Sequence, residues 1–236
     1  MMSIESLVSY MPLLLAGALR TLELVAYTLV LGFAFALPVA LARNSASGTS
    51  RLLAHAFIFF FRGAPLLAVV FLLYYGIPQI PGIRDTPLWL LLKNPMPIAV
   101  LALSLNSAGF LAEILALALR NVPRGEIEAA TAFGFTRRQS FLRFTAPNAA
   151  RLGLRAYGNE VVFVVKGTAV VNFITIMDLV GAANRIYYNT LDPFTPLIAA
   201  GVIYLVIVLL IMWSIKWGER KLRPWLHYVE RADQRR

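Results

Sequence analysis

The stretch FTPLIAAGVIYLVIVLLIMWSIKW, residues 194–217, carries one charged side chain, that of Lys216. About 20 mostly apolar residues are enough for an α-helix to cross the hydrocarbon core of a bilayer. This stretch therefore predicts a transmembrane helix. Working outward from it, five segments of this length are predicted as spans, namely residues 21–42, 52–76, 97–119, 152–173 and 194–217. The predicted fold class is an all-α membrane protein, with residues 1–236 forming a single transmembrane domain.

The composition excludes most soluble classes. Of the 236 residues, 59% are hydrophobic and 14% are charged, whereas soluble domains are about 45–50% apolar and about 25% charged. The net charge of +10 is then read as an orientation signal in a bilayer rather than as a nucleic-acid footprint. The absence of cysteine excludes a disulfide framework and a zinc–thiolate site.

The charged flanks decide the number of spans. The fourth predicted span is weak, because Arg155, Asn159, Glu160 and Lys166 lie within it. Most of the lysine and arginine residues follow spans one, three and five. The positive-inside rule then places the N-terminus outside and the C-terminus in the cytoplasm. This arrangement needs an odd number of crossings, so the weak span is retained and five are predicted.

The cytoplasmic loop of residues 121–147 predicts short helices rather than a flexible linker. Pro123 favours a helix start, Glu126 and Glu128 suit the first turn, and Gly134 favours a left-handed end.

A capping box of Thr136 and Gln139 predicts a second helix, and Pro147 after Thr145 suggests a third start. Two apolar side chains of the first helix, Ile127 and Phe133, could fill a groove on a partner or rest on lipid headgroups. The residues alone leave both alternatives open.

This loop resembles the "EAA" loop of bacterial ABC importer permeases, which reads E-A-A-x3-G-x9-I-x-L-P. The matching residues are Glu128-Ala129-Ala130, Gly134 and Pro147, with Phe144 and Ala146 at the two variable apolar positions. The resemblance covers about residues 17–220. Further segments resemble the polar amino-acid permeases, in the subgroup for histidine, lysine, arginine and opines: Arg62-Gly63-Ala64-Pro65, Ala112-Glu113, Val122-Pro123-Arg124-Gly125, Asn159-Glu160 and Lys166-Gly167-Thr168-Ala169.

The resemblance implies a permease subunit of an ATP-driven, binding-protein-dependent importer. Such a subunit translocates a polar, here basic, amino acid or an opine by alternating access. The implied partners are a second, related but non-identical permease, a dimer of ABC ATPase subunits, a periplasmic solute-binding protein and the lipid bilayer. The implied location is the bacterial inner membrane, with several passes. The chain is not expected to be an enzyme or to hold a cofactor, since it has no phosphate-binding loop motif and ATP and Mg²⁺ belong to the partner ATPase.

The resemblance also implies a coupling helix in the loop, docked on the ATPase. The residues expected to form this coupling surface are Glu126, Ile127, Glu128, Ala129, Ala130, Phe133, Gly134 and Pro147.

Polar residues at membrane depth are the candidates for a substrate pathway, because charge there usually faces a cavity or a partner. They are Asn159, Glu160, Glu113 and Asn106, and we hypothesise that Glu160 meets the cationic part of the solute. The alternative is that the charged groups pair with one another and hold the bundle together, which we favour for Glu113 and Arg62.

Arg62, Gly63 and Pro65 interrupt the second span. They are read as a hinge or broken helix near the pathway, or alternatively as a kink that neighbouring helices accommodate.

Two other function classes are alternatives to the importer. The EAA-like loop argues against a stand-alone channel or secondary carrier. An intramembrane enzyme would need a nucleophile with a base, and Ser104 has no predicted histidine neighbour because His55 and His227 lie at span ends. No metal site is expected.

Overall fold

A computed structural model describes residues 4–222. Throughout that part of the chain the backbone is helical or irregular, without strands, so the predicted all-α class is confirmed. His227 and the basic tail that supported the predicted orientation, Arg223, Arg231, Arg235 and Arg236, lie outside the described residues.

The first helix, α1 (Ile4–Arg43), is 40 residues long. Its end lies within one residue of the end of the predicted span, 21–42, but the helix begins well before residue 21. The earlier residues are helical because they pack against the other end of the chain: Leu14 and Ala18 are buried in one cluster with Leu179 and Ala182. At about 1.5 Å per residue, α1 is longer than the ~30 Å hydrocarbon core requires.

The second predicted span is two helices rather than one. Helix α2 (Gly48–Gly63) ends where the Ala64 N–H donates to the Phe60 carbonyl. Helix α3 (Leu66–Phe71) then leaves at 104° to it and continues as a π-helical turn, Leu72–Gly76. Proline disfavours helical backbone at the preceding residue, and Ala64 before Pro65 is extended, with ψ 133°.

A connection of 3₁₀ turns (Ile77–Gln79 and Ile83–Asp85) and the short α4 (Trp89–Leu92) leads to the central helix. Helix α5 (Pro95–Arg120) agrees with the predicted third span within two residues. It packs closely on its neighbours through small residues. A methyl group added at Gly109 would lie 3.0 Å from the Phe61 Cβ atom on α2.

The loop after α5 forms two short helices, as predicted. They are α6 (Arg124–Ala132) and α7 (Arg137–Ser140). Between them Gly134 adopts a left-handed φ of +80°, and the capping box of Thr136 and Gln139 is present.

The predicted third helix start is found at Ala146, with Thr145 at the N-cap position and Pro147 in the first turn, but the backbone before it is already helical. A π-helical turn, Phe141–Thr145, joins α7 to α8 (Ala146–Gly167) without a break. Pro147 has no N–H to give to the preceding turn, and the wider turn lies directly before it.

Helix α8 continues as a 3₁₀ segment (Thr168–Ile174) and is followed by α9 (Leu179–Thr190) and α10 (Phe194–Leu222). Asp178 connects α9 to α10. Its carboxylate accepts from the Gly181 N–H at 2.9 Å and from the Tyr204 hydroxyl on α10 at 3.2 Å. The Leu179 N–H donates to Thr21 Oγ1 on α1 at 3.2 Å.

Within residues 4–222, three helices are long and apolar enough to cross a bilayer alone: α1, α5 and α10. Two further crossings are possible if each bent pair counts as one span, namely Gly48–Gly63 with Leu66–Gln79, and Arg137–Ile174 with Leu179–Thr190. The described chain therefore contains three to five candidate spans, and the five-span topology stays a prediction.

Candidate functional site

A cavity of about 410 Å³ lies between the α2–α3 break, α5 and α8. Three charged side chains and one amide line it: Arg62, Glu160, Lys166 and Asn106. The rest of the lining is apolar, with the rings of Phe110 and Phe163 among it. A mostly apolar cavity with a few convergent polar groups is the usual form of a small-molecule site.

Glu160 is the buried acid of this cavity. It is 4% exposed, and the Ser107 hydroxyl on α5 donates to its Oε1 atom at 2.8 Å. This bond fixes the carboxylate between α8 and α5. A carboxylate at membrane depth needs positive partners, and the same cavity supplies the cationic groups of Arg62 and Lys166.

Asn106 compensates for the break in the second span. In a continuous helix the Phe61 carbonyl would accept from the N–H of residue 65, but Pro65 has none. The Asn106 amide takes this place and donates to the Phe61 oxygen at 2.8 Å. One turn further along α5, the Phe110 ring lies 5.4 Å beneath the Arg62 guanidinium. Two residues of α5 therefore hold the end of α2 where the chain turns.

The structure brings some of the predicted pathway residues together and separates others. Glu160, Asn106 and Arg62 share the cavity. Asn159 is exposed on α8 and does not line it. Glu113 lies elsewhere on α5, where its carboxylate is 3.6 Å from Arg43 Nε and links α5 to α1. Glu113 therefore pairs with a cation, but its partner is Arg43 rather than one of the membrane-depth charges with which pairing was expected.

Sequence reasoning missed three members of the site, Ser107, Phe110 and Phe163. The signal that could have identified Phe163 is helical spacing from Glu160, since positions i, i+3, i+4 and i+7 share one face. Phe163, Val164 and Gly167 occupy these positions and all line the cavity.

The loop of residues 121–147 forms a second candidate site, with one face turned inward and one outward. Ala130 is buried, and Ile127 packs against the cluster of Val122 and its neighbours. Ile127 therefore faces inward, not toward a partner groove as one alternative proposed. Phe133 projects outward with 83% of its surface exposed.

Three other predicted loop residues, Glu128, Ala129 and Gly134, are also exposed. Glu126 is exposed too, but its carboxylate accepts from the Asn148 amide at the start of α8. This hydrogen bond ties α6 to the helix that carries Glu160. Pro147 lies beside Asn148 and is exposed.

The chain is similar to known transport proteins over most of its length. The sequence pattern of the family described as "binding-protein-dependent transport system inner membrane component" matches residues 29–224. A nopaline transport system permease protein of Agrobacterium fabrum is 37% identical over 224 residues, which cover 94% of this chain and 93% of that protein. An octopine transport system permease protein of Rhizobium meliloti is 39% identical over 231 residues, covering 94% and 92%.

Among solved structures, an amino acid ABC transporter with histidines superposes with a TM-score of 0.80 at 30% identity. The match covers 94% of this chain and 99% of that one.

Proposed function

The chain belongs to the family of binding-protein-dependent transport system inner membrane components, and on this premise we propose that it is a permease subunit of an ATP-driven importer for cationic amino acids or opines. It pairs with a second permease subunit in the inner membrane of a bacterium. A solute-binding protein delivers the solute, and two ATPase subunits, which hold ATP and Mg²⁺, drive the cycle.

The arrangement of charge around Glu160 is the observation that carries this proposal. The cavity holds one buried carboxylate together with the cationic groups of Arg62 and Lys166. A basic amino acid offers the complementary set, a cationic side chain for Glu160 and a carboxylate for the cations. An opine adds a further carboxylate, which the second cation accommodates. Relatives that are named for nopaline and octopine transport support this solute class.

The link between α6 and α8 supports a coupling mechanism. The exposed residues of α6, with Phe133 at its end, form the docking surface for the ATPase. The bond from Asn148 to Glu126 then transmits displacement of α6 to α8. Since Glu160 lies on α8, movement of the ATPase changes the cavity in a rigid-body, alternating-access step. The break at Pro65 acts as the hinge.

Competition between arginine and citrulline tests the solute assignment. Citrulline has nearly the shape of arginine but a neutral side chain. In proteoliposomes that contain the complete transporter, the wild type is expected to prefer arginine. Glu160→Gln is expected to reduce arginine uptake by about 10-fold or more, because a charge-assisted hydrogen bond contributes about 1.5–3 kcal/mol. Citrulline uptake should fall much less.

Glu23→Gln is the matched control. Glu23 is also a carboxylate on a long helix, but it pairs with Arg20 at the exposed surface of α1. We expect this variant to keep the wild-type preference for arginine. Equal losses of arginine and citrulline uptake in Glu160→Gln would contradict the role of Glu160 in recognising positive charge.

A further inference from the structure

A second cavity, also about 410 Å³, lies where the end of α1, the start of α2, the end of α5 and the Phe141 turn meet. Three guanidinium groups line it, those of Arg43, Arg51 and Arg120, and none of its lining residues within the described part of the chain is acidic. The proposed solute pathway does not use this cavity. The solute pathway therefore does not explain why three arginines line this second cavity.

Arg120 is held in place at the joint between α1 and α5. Its Nε atom donates to Asn44 Oδ1 at 2.5 Å, and its NH2 atom donates to the Arg43 carbonyl at 3.0 Å. These two bonds orient the guanidinium group. Since the group has five N–H donors, three remain available to a ligand. Cations at helix C-termini are favourable, which accounts for Arg120 and Arg43 as helix ends.

Helix-end capping does not account for Arg51. It lies in the first turn of α2, the positive end of the helix dipole, and that turn has no acidic residue. Arg43 pairs with Glu113, an acid that does not line the cavity. The Nε atom of Arg43 is buried and makes no hydrogen bond. Two of the three positive charges therefore remain without a paired acid in the cavity, and a bound anion would offset their repulsion.

The remaining lining indicates what kind of anion fits. The hydroxyl groups of Ser45 and Thr145 line the cavity beside the arginines and can donate to phosphate oxygens. Leu41 and Phe141 line it as well, and both are exposed apolar side chains. A ligand that contacts both the hydroxyl groups and the apolar side chains has a phosphate group next to a hydrocarbon chain.

We propose that this cavity binds the phosphate group of an anionic phospholipid from the cytoplasmic leaflet. Basic pockets between transmembrane helices on the cytoplasmic side suit such headgroups. The leaflet assignment rests on the proposed orientation. The binding itself is independent of transport, so the lipid and uptake experiments can fail separately.

Native mass spectrometry of the purified, complete transporter tests the site. The complex is mixed with equal amounts of phosphatidylglycerol and phosphatidylcholine, and the lipids retained on the permease are counted. We expect preferential retention of phosphatidylglycerol by the wild type. Arg51→Gln should reduce this retention by about 5-fold, since one basic group near an anionic membrane contributes about 1 kcal/mol.

Two variants separate charge in the cavity from charge elsewhere. Arg51→Lys keeps the charge and should restore most of the retention. Lys216→Gln removes a positive charge from an exposed position on α10 outside the cavity and should retain phosphatidylglycerol as the wild type does. Arg51 is exposed, so its replacement should not unfold the chain.

Equal retention of the two lipids by the wild type would overturn the proposal, as would unchanged retention in Arg51→Gln. A third arm adds inorganic phosphate without lipid. If phosphate binds and phosphatidylglycerol does not, the cavity is a site for free phosphate and the lipid assignment is wrong.

Discussion

At the scale of single residues, Asn106 shows how a polar group at membrane depth can serve the backbone. Its amide donates to the Phe61 carbonyl, the acceptor that Pro65 leaves open. Nothing in a hydrocarbon environment replaces such a bond, so its loss leaves a polar oxygen unsatisfied.

We expect Asn106→Ala to destabilise the protein by about 1 kcal/mol, the lower end of the effect of leaving a buried acceptor without a donor, because this acceptor is partly buried. The unfolding midpoint of the purified complex in detergent measures this. Asn159→Ala is the matched control, because Asn159 is exposed and its removal should leave the midpoint unchanged. An equal midpoint for the two variants would show that the Asn106 bond does not support the break.

Asp178 is a second residue whose side chain stabilises the fold. It caps α9 through Gly181 and accepts from Tyr204 on α10. Asp178→Ala should destabilise by about 2–4 kcal/mol, since it removes a helix cap and leaves a hydroxyl without its acceptor.

A double-mutant cycle with Tyr204→Phe isolates the link between α9 and α10. We expect a coupling energy of about 0.5–1.5 kcal/mol from the unfolding midpoints of the two single variants and the double variant. A coupling energy near zero would mean that the two side chains act independently.

At the scale of elements, the proposed docking surface on α6 depends on Phe133, a side chain that does not stabilise the fold. Phe133 is 83% exposed, so Phe133→Ala should leave stability unchanged. If it fills a pocket on the ATPase, its loss should weaken ATPase binding by about 10-fold or more, as for other buried aromatic anchors at interfaces.

Phe59→Ala is the matched control, since Phe59 on α2 is equally exposed at 83% and lies outside the loop. The affinity for the ATPase, measured in detergent, should fall about 10-fold or more in Phe133→Ala. It should keep its wild-type value in Phe59→Ala. Equal affinities would show that Phe133 is not an anchor.

The elements also show how far sequence reasoning reaches. The ends of α5, the two loop helices and the cap at Thr136 follow from local rules of hydrophobic length, capping and glycine geometry. The early start of α1 depends instead on Leu14 packing against α9, far away in sequence. The break at Pro65 was visible as a motif, but its 104° turn is held by Asn106 and Phe110 from another helix.

In the candidate site, too, some features are predicted from the sequence and others depend on the packing of helices. Glu160 stood out as an acid in a weak span. Its bond to Ser107 depends on the packing of α8 against α5, and Arg62 reaches the same cavity from α2. No local sequence pattern contains either contact. The separation of Glu113 from the cavity likewise follows from helix packing.

At the scale of the whole molecule, the orientation of the chain is open to a direct test, because it contains no cysteine. Single cysteines can be introduced at two exposed positions, Asp85→Cys between α3 and α4, and Thr49→Cys at the start of α2. With the N-terminus outside, a membrane-impermeant maleimide should label Asp85→Cys from the outer side of right-side-out vesicles. Thr49→Cys should react only after the membrane is opened. The reverse pattern would contradict the proposed orientation.

The most direct test of the central claim is accumulation of radiolabelled arginine by proteoliposomes that contain this chain, its permease partner, the ATPase and the binding protein. We predict that ATP drives arginine above its external concentration, and that omission of ATP or of the ATPase abolishes this accumulation. Arginine entry that continues at the same rate without ATP would contradict the account and identify the chain as a channel or secondary carrier.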